Sequence, residues 1–312
     1  MQRRSWSTGM VLMSRRFCVV DPSVRRSCVR QMILRTRPVP VWLVRAAPPD
    51  GATASRFLPW AGFVAMRTDW SCDATYLCFD VGPLGMDHIH QDKLSFTLWK
   101  GDEELIFDDG GGQYEISSER DYAVSGYDHS TLLVDGLAQF RREPKRATEP
   151  INAAFETSAV RDRAVGVYDQ GFGPHEFRLA THRREIVFDK TADVFTVTDE
   201  VRSADGRTHD YTLLFQLDTT NVTVTAGGGS VYADYGLGRK WALGMSFAGA
   251  DSVTSISARL EPSLAGWFVG RNDNSVRPAT TVFVRSLGRV NHTFVTKLKV
   301  IRAELKKKGR KP

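Results

Sequence analysis

The sequence predicts an all-β fold, an antiparallel β-sandwich of layered sheets. Two observations predict it. From about residue 58, short apolar stretches rich in Val, Thr, Phe and Tyr alternate with turn residues every eight to twelve positions, which is the rhythm of strands joined by tight connections. The 3.6-residue periodicity of amphipathic helices is nearly absent outside the Lys-rich C-terminal end.

The elements follow in chain order. The first candidate strands are 62–67, 74–79, 94–99, 105–108 and 130–134. Lys100-Gly101-Asp102 lies between the third and fourth and predicts a hairpin, and Asp135-Gly136 closes the fifth. A second group comprises 153–159, 165–168, 181–188 and 194–201, and is followed by the Asp205-Gly206 turn. The last group comprises 211–216, 222–226, 244–247, 253–258, 280–286 and 292–298. Ala226-Gly227-Gly228-Gly229 interrupts it. The expected organisation is an Arg-rich leader at 1–57 with no assigned fold, a sandwich domain at 58–300 and a basic tail at 301–312.

Composition narrows the class further. The 312 residues are 42% hydrophobic and 25% charged, which excludes collagen-like, disordered and disulfide-dense chains. No stretch approaches the roughly 18 apolar residues of a membrane span. The net charge of +6 is unevenly placed. Residues 1–50 carry ten Arg and two Asp (+8), 297–312 carry +7, and 51–296 carry 24 basic and 33 acidic residues (−9). A nucleic-acid-binding fold places its positive charge on the folded surface. Here the charge lies at the ends, so no nucleic-acid partner is expected. Cys72 and Cys78 are compatible with a bridge or with two free thiols. Cys18 and Cys28 lie in the leader. The leader has the Arg-rich, acid-poor composition of a transit peptide or of a misassigned start, and Arg15-Arg16 cuts off any apolar core of a secretory signal.

The chemistry-bearing stretch is Asp87-His88-Ile89-His90-Gln91-Asp92-Lys93-Leu94-Ser95. On extended backbone, residues two apart share a face, so His88 and His90 would point together. The predicted hairpin can bring Asp108 to the His end of its partner strand, and His129 opens the strand 130–134. His90, Asp108 and His129 suit Zn²⁺ with one open position. The same spacing also fits an exposed strand face with one satisfied histidine. Asp87 and Asp92 could orient the imidazoles. Gly110-Gly111-Gly112 lacks the Lys-Ser/Thr of a phosphate loop and reads as a turn. His175, His182, His209 and His292 are scattered and read as structural.

These landmarks together resemble the β-domain of the heparinase II/III-like polysaccharide lyases, a group that includes oligoalginate lyases. In order they are Val64-Ala65-Met66-Arg67, Phe79-Asp80-Val81-Gly82-Pro83, the His88-to-Phe96 run, Asp108-Asp109-Gly110, Tyr114, Arg120, and the run from His129-Ser130-Thr131 to Asp135-Gly136-Leu137-Ala138-Gln139. Weaker echoes follow at His182-Arg183-Arg184, Val197-Thr198-Asp199 and Gly266-Trp267. The resemblance implies β-elimination on uronic-acid polysaccharides such as alginate- or glycosaminoglycan-like chains. It implies that His88 lines the catalytic cleft and that His90, Asp108 and His129 hold an organising zinc ion. Arg120 and Tyr122 are the expected substrate-binding residues, with Arg67 and Arg142 as further positive groups for an acidic polymer. The resemblance also implies a periplasmic or cell-envelope location. Family members carry a large helical toroid ahead of this domain. The first ~57 residues show no helical period, so a fragment, a homodimer or a separate helical domain is expected to complete the cleft. Two other readings stand beside the lyase. One is a non-catalytic carbohydrate-binding module. The other, resting on the His-x-His pattern alone, is a zinc hydrolase or cupin-like oxidase.

Overall fold

A computed structural model of the chain describes residues 54–303 except 84, 86–88, 112–115, 141–147, 174–176, 237 and 271–274. His88, Asp87, Tyr114, Arg142 and His175 lie outside the described residues, as do Cys18 and Cys28.

The described residues form two large antiparallel sheets, as the alternating pattern predicts. The first comprises β1 (Arg56–Leu58), β2 (Phe63–Arg67), β3 (Thr75–Asp80), β4 (Phe96–Lys100), β5 (Glu103–Ile106), β6 (Leu132–Val134), β11 (His209–Leu217), β15 (Ser252–Ser257) and β18 (Thr280–Arg289). Its order is β1-β2-β3-β4-β5-β11-β18-β15, with β6 also on β11. The second comprises β7 (Ala154–Thr157), β8 (Arg161–Tyr168), β9 (Ala180–Asp189), β10 (Val194–Ser203), β12 (Asn221–Val224), β13 (Ser230–Asp234), β14 (Trp241–Ala248) and β19 (Asn291–Arg302). Its order is β12-β13-β14-β19-β10-β9-β8-β7. A small hairpin, β16 (Trp267–Val269) with β17 (Val276–Pro278), one short α-helix, α1 (Ser118–Ala123), and a 3-10 turn at Gly126–Asp128 complete the described set.

The core lies between the two sheets. Burial alternates strictly along β9 and β10, so each presents one face inward, as period-2 patterning requires. Phe188 and Phe195 stack there with ring centroids 3.9 Å apart, and Phe96 meets Phe215 edge-on at 6.2 Å. Cys72 and Cys78 are not bridged to each other.

The topology gathers the chemistry-bearing segments at one end of the first sheet. In register, Phe63 faces Asp80, Phe79 faces Phe96, Leu98 faces Ile106 and Leu213 faces Leu132. The chain therefore leaves β3, enters β4, leaves β5 and enters β6 at the same edge. Among the described residues no helix is long and apolar enough to cross a membrane.

Candidate functional site

Local sequence explains how the segment after β3 is held. Gln139 is wholly buried. Its side-chain oxygen accepts from the Lys93 backbone N–H at 2.9 Å, and its Nε2 donates to the Lys93 carbonyl at 2.7 Å. The Thr131 hydroxyl donates to that carbonyl at 2.7 Å. Gln91 donates from Nε2 to the Gln139 carbonyl and accepts from the Gly126 N–H at 3.0 Å. The two halves of the sequence motif, His90-to-Ser95 and His129-to-Gln139, are thus interlocked by hydrogen bonds, each satisfying a polar group that burial would otherwise strand. Leu94 adopts φ 63°, a left-handed turn that swings the chain into β4. A branched residue holds that conformation only where its surroundings enforce it. Here the enforcement comes from Leu94 N–H to the Asp80 carbonyl at 3.1 Å, Ser95 N–H to the Asp92 carbonyl at 2.9 Å, and a side chain buried in the core.

This scaffold brings three of the expected residues together. His129 Nδ1 lies 2.6 Å from Asp108 Oδ1. The His90 and His129 rings lie 5.3 Å apart between centroids. Ser95 Oγ donates to Asp108 Oδ2 at 2.6 Å. Burial works against charge on both partners of the pair, and each reverses this for the other. His129, with Ser95, brings the Asp108 carboxyl down to about 2, while Asp108 raises the His129 imidazole above its ordinary value. The contact therefore favours the charged form of each partner. Gly111, at φ +77°, leaves room for the His90 ring, because a Cβ there would stand 2.9 Å from His90 Cε1 and Nε2.

The donor set also bears on a metal. His129 Nε2 is buried and has no hydrogen-bond partner among the described residues, and His, His and Asp are the donors that zinc takes. As placed, Asp108 bonds the ring nitrogen opposite this one, so the two donors do not face one point. Among the described residues no three His, Cys, Asp or Glu side chains converge on one point at metal-holding distance. The residues therefore fit zinc in kind and in the stranded nitrogen, while their side chains stand apart from a closed coordination shell.

A second pair lies beneath the first. Asp109 and Asp128 are both buried. Burial pushes both carboxyls up: Asp128 well above its ordinary value, with the Asp109 charge adding to the rise, and Asp109 to about 6, with Asp128 opposing the rise. Asp109 Oδ2 also accepts from the Val269 N–H at 2.6 Å, which pins the β16–β17 hairpin against the site. Sequence reasoning missed this pair. Its only trace was adjacency, Asp109 after Asp108 and Asp128 before His129.

The other expected residues fall in different places. Arg120 is half-buried on α1 and donates from Nη1 to the Gly111 carbonyl at 2.5 Å, so it stands beside the His90 seat. Tyr122 is buried and packs with Ala123 against Val269, Leu264 and Trp267. Arg67 is buried at the Tyr76 end of the β2–β3 pair, with its guanidinium 4.7 Å over the Trp70 ring, so it is engaged away from the site. The fold agrees with comparison to known proteins. The family profile described as Heparinase II/III-like, C-terminal, matches residues 50–301.

The chain belongs to the heparinase II/III-like family.

Solved structures of similar fold include a heparan sulfate lyase from Pedobacter heparinus, with a TM-score of 0.63 and 19% identity over 83% of this chain and 37% of that one. A heparinase III gives a TM-score of 0.61 and 15% identity over 81% of this chain and 39% of that one. This heparinase II/III-like chain thus spans less than two-fifths of the length of these relatives. No curated protein sequence matches it.

Proposed function

We propose that the chain is the β-domain of a polysaccharide lyase that cleaves uronic-acid-containing polysaccharide by β-elimination, with a periplasmic or cell-envelope setting. The observation that carries this reading is the family match over 50–301, in a domain whose motif residues His90, Asp108 and His129 meet at one sheet end.

In this reaction a base removes the C5 proton of the uronate. The freed electron pair forms the C4–C5 double bond, and the C4–oxygen bond of the glycosidic link breaks. The leaving oxygen then takes a proton. Three requirements follow: a partner for the substrate carboxylate, a base near C5 and an acid at the leaving oxygen. His88 is assigned to the cleft face, where an imidazole either hydrogen-bonds the carboxylate or relays a proton. Arg120 is assigned to carboxylate binding. His90, Asp108 and His129 would hold Zn²⁺, which supplies a fixed positive centre that orders the cleft wall. Ser95 and Asp109 keep that wall in place. The opposite wall is assigned to a helical domain or a further chain, in line with the greater length of the solved relatives.

The test is ultraviolet absorbance of the unsaturated uronate after incubation with alginate and with heparan sulfate. The lyase reading predicts absorbance that His88→Ala abolishes while substrate binding persists. Absorbance unchanged in His88→Ala would remove His88 from the mechanism. Binding without any absorbance would favour the second reading, a carbohydrate-binding module. Zinc is tested by metal analysis of the purified chain and of His129→Gln.

A further inference from the structure

The inward face of the second sheet contains a polar group that lies outside the site. Along β9 and β10 that face is apolar except for His182, Arg184 and Asp199, each wholly buried. Arg184 and Asp199 are cross-strand partners, and Arg184 Nε donates to Asp199 Oδ1 at 2.6 Å. His182 Nε2 meets the same oxygen at 2.6 Å. Burial holds the His182 pKa below its ordinary value, so the ring is neutral and Nε2–H is the donor. An apolar filling of the same space would avoid the desolvation of two charges.

The target of Arg184 lies in the opposite layer. Arg184 Nη1 crosses the core and donates to the carbonyls of Leu94 and Ser130, both at 2.6 Å. These carbonyls belong to the two segments that build the site. Ser130 follows His129. Leu94, in its left-handed conformation, precedes Ser95, whose hydroxyl holds Asp108. A rigid planar cation, anchored behind by Asp199, joins the two segments from beneath.

We propose that Arg184 is a positioning residue of the site: its guanidinium fixes the Leu94 and Ser130 backbones relative to each other and so sets the His129–Asp108 contact. The functional weight of this hold rests on reading His90, Asp108 and His129 as the centre of the site. The hold itself does not.

The experiment is histidine-side-chain NMR on the metal-free full chain labelled with ¹⁵N-histidine, with His129→Gln to identify the His129 signals. Arg184→Lys keeps the charge opposite Asp199 but cannot reproduce the planar fork. Phe188→Leu is a control that loosens the same core layer at the stacked Phe188–Phe195 pair. The expected result is a single downfield Nδ1 proton for His129 in the unaltered chain and in Phe188→Leu. In Arg184→Lys that signal is shifted or split, and in Arg184→Met it is lost. An unchanged His129 signal in Arg184→Lys, or an equal disturbance in Phe188→Leu, overturns the proposal, whether or not Arg184→Met folds. Co²⁺ titration then separates the two readings. If the unaltered chain binds no Co²⁺ or Zn²⁺, the metal reading fails while the NMR result still decides the role of Arg184. If it binds, Arg184→Lys is expected to weaken binding about tenfold, as loss of an outer support does.

Discussion

Replacing Gly111 by alanine puts a methyl group against the His90 ring. At φ +77°, the new Cβ would stand 2.9 Å from His90 Cε1 and Nε2 and 3.3 Å from Val124 Cγ1, so it is confined on two flanks. The left-handed backbone costs an alanine about 1–2 kcal/mol. Moving the imidazole off its rotamer adds about 0.5–1.5 kcal/mol. The sum is about 1.5–3.5 kcal/mol, or roughly 3–14 °C in Tm for a domain of this size. Gly136→Ala is the matched comparison. It also has positive φ (+73°), with nothing within 4 Å of the added Cβ, so it bears the backbone part alone. Urea denaturation of the two variants should show Gly111→Ala losing more, by the part due to the ring. Histidine NMR should show the His90 resonances displaced in Gly111→Ala and unmoved in Gly136→Ala. Equal destabilisation with an unmoved His90 would refute the packing argument and detach Gly111 from the site.

Three further outcomes are expected. Ser95→Ala removes a hydrogen bond that helps bring Asp108 down to about 2. A depressed carboxyl contributes stability above its unfolded value and loses it as pH falls through the folded one, so the acid-unfolding midpoint followed by circular dichroism should move to higher pH, and an unmoved midpoint would count against the hydrogen bond. His209 lies between Asp135 at 2.7 Å and Asp205 at 3.0 Å; burial opposes its charge, and the two carboxylates outweigh this and raise its pKa. Its contribution is fully present below the ordinary value of about 6.5 and fades as pH rises through the folded value, so the Tm gap between the unaltered chain and His209→Gln should narrow from roughly pH 6 to roughly pH 9; a constant gap would exclude the charged pair. Gln139→Leu strands the buried Lys93 N–H and should cost about 1–3 kcal/mol in urea unfolding, whereas a neutral result would mean that the two motif halves are held by packing alone.

Much of the architecture was legible because its cause is local. Strands β9 and β10 follow from an alternating pattern and β3, β11 and β18 from their β-branched and aromatic residues, and all lie close to their predicted positions. The Lys100-Gly101-Asp102 turn does join β4 to β5, with Gly101 at φ 61°. Strand β13 was missed because Ser230–Asp234 has only Val231, Tyr232 and Ala233 to mark it. Helix α1 was missed because its six residues are too few to show a period. At the site, the meeting of His90, Asp108 and His129 could be anticipated, since one hairpin and one shared sheet end produce it. The Arg184 hold could not. It joins residues 54 and 90 positions apart, and no local pattern in the chain encodes which carbonyls a buried guanidinium will find. The burial of Tyr122 was hidden for the same reason, because the covering residue, Val269, is far along the chain.

The placement of β11 in the first sheet has a consequence for biosynthesis. This strand pairs with β5, β6 and β18, and its Gln216 donates to the Tyr127 carbonyl at 2.9 Å while accepting from the Thr281 hydroxyl at 2.8 Å. On the ribosome, His90, Asp108 and His129 emerge early, whereas β11 and β18 emerge in the last third of the chain. Long-range pairings of this kind close late. The nascent polypeptide therefore carries the motif well before it carries the site, and a chain interrupted ahead of Thr281 would keep every motif histidine yet lack the β11–β18 pairing.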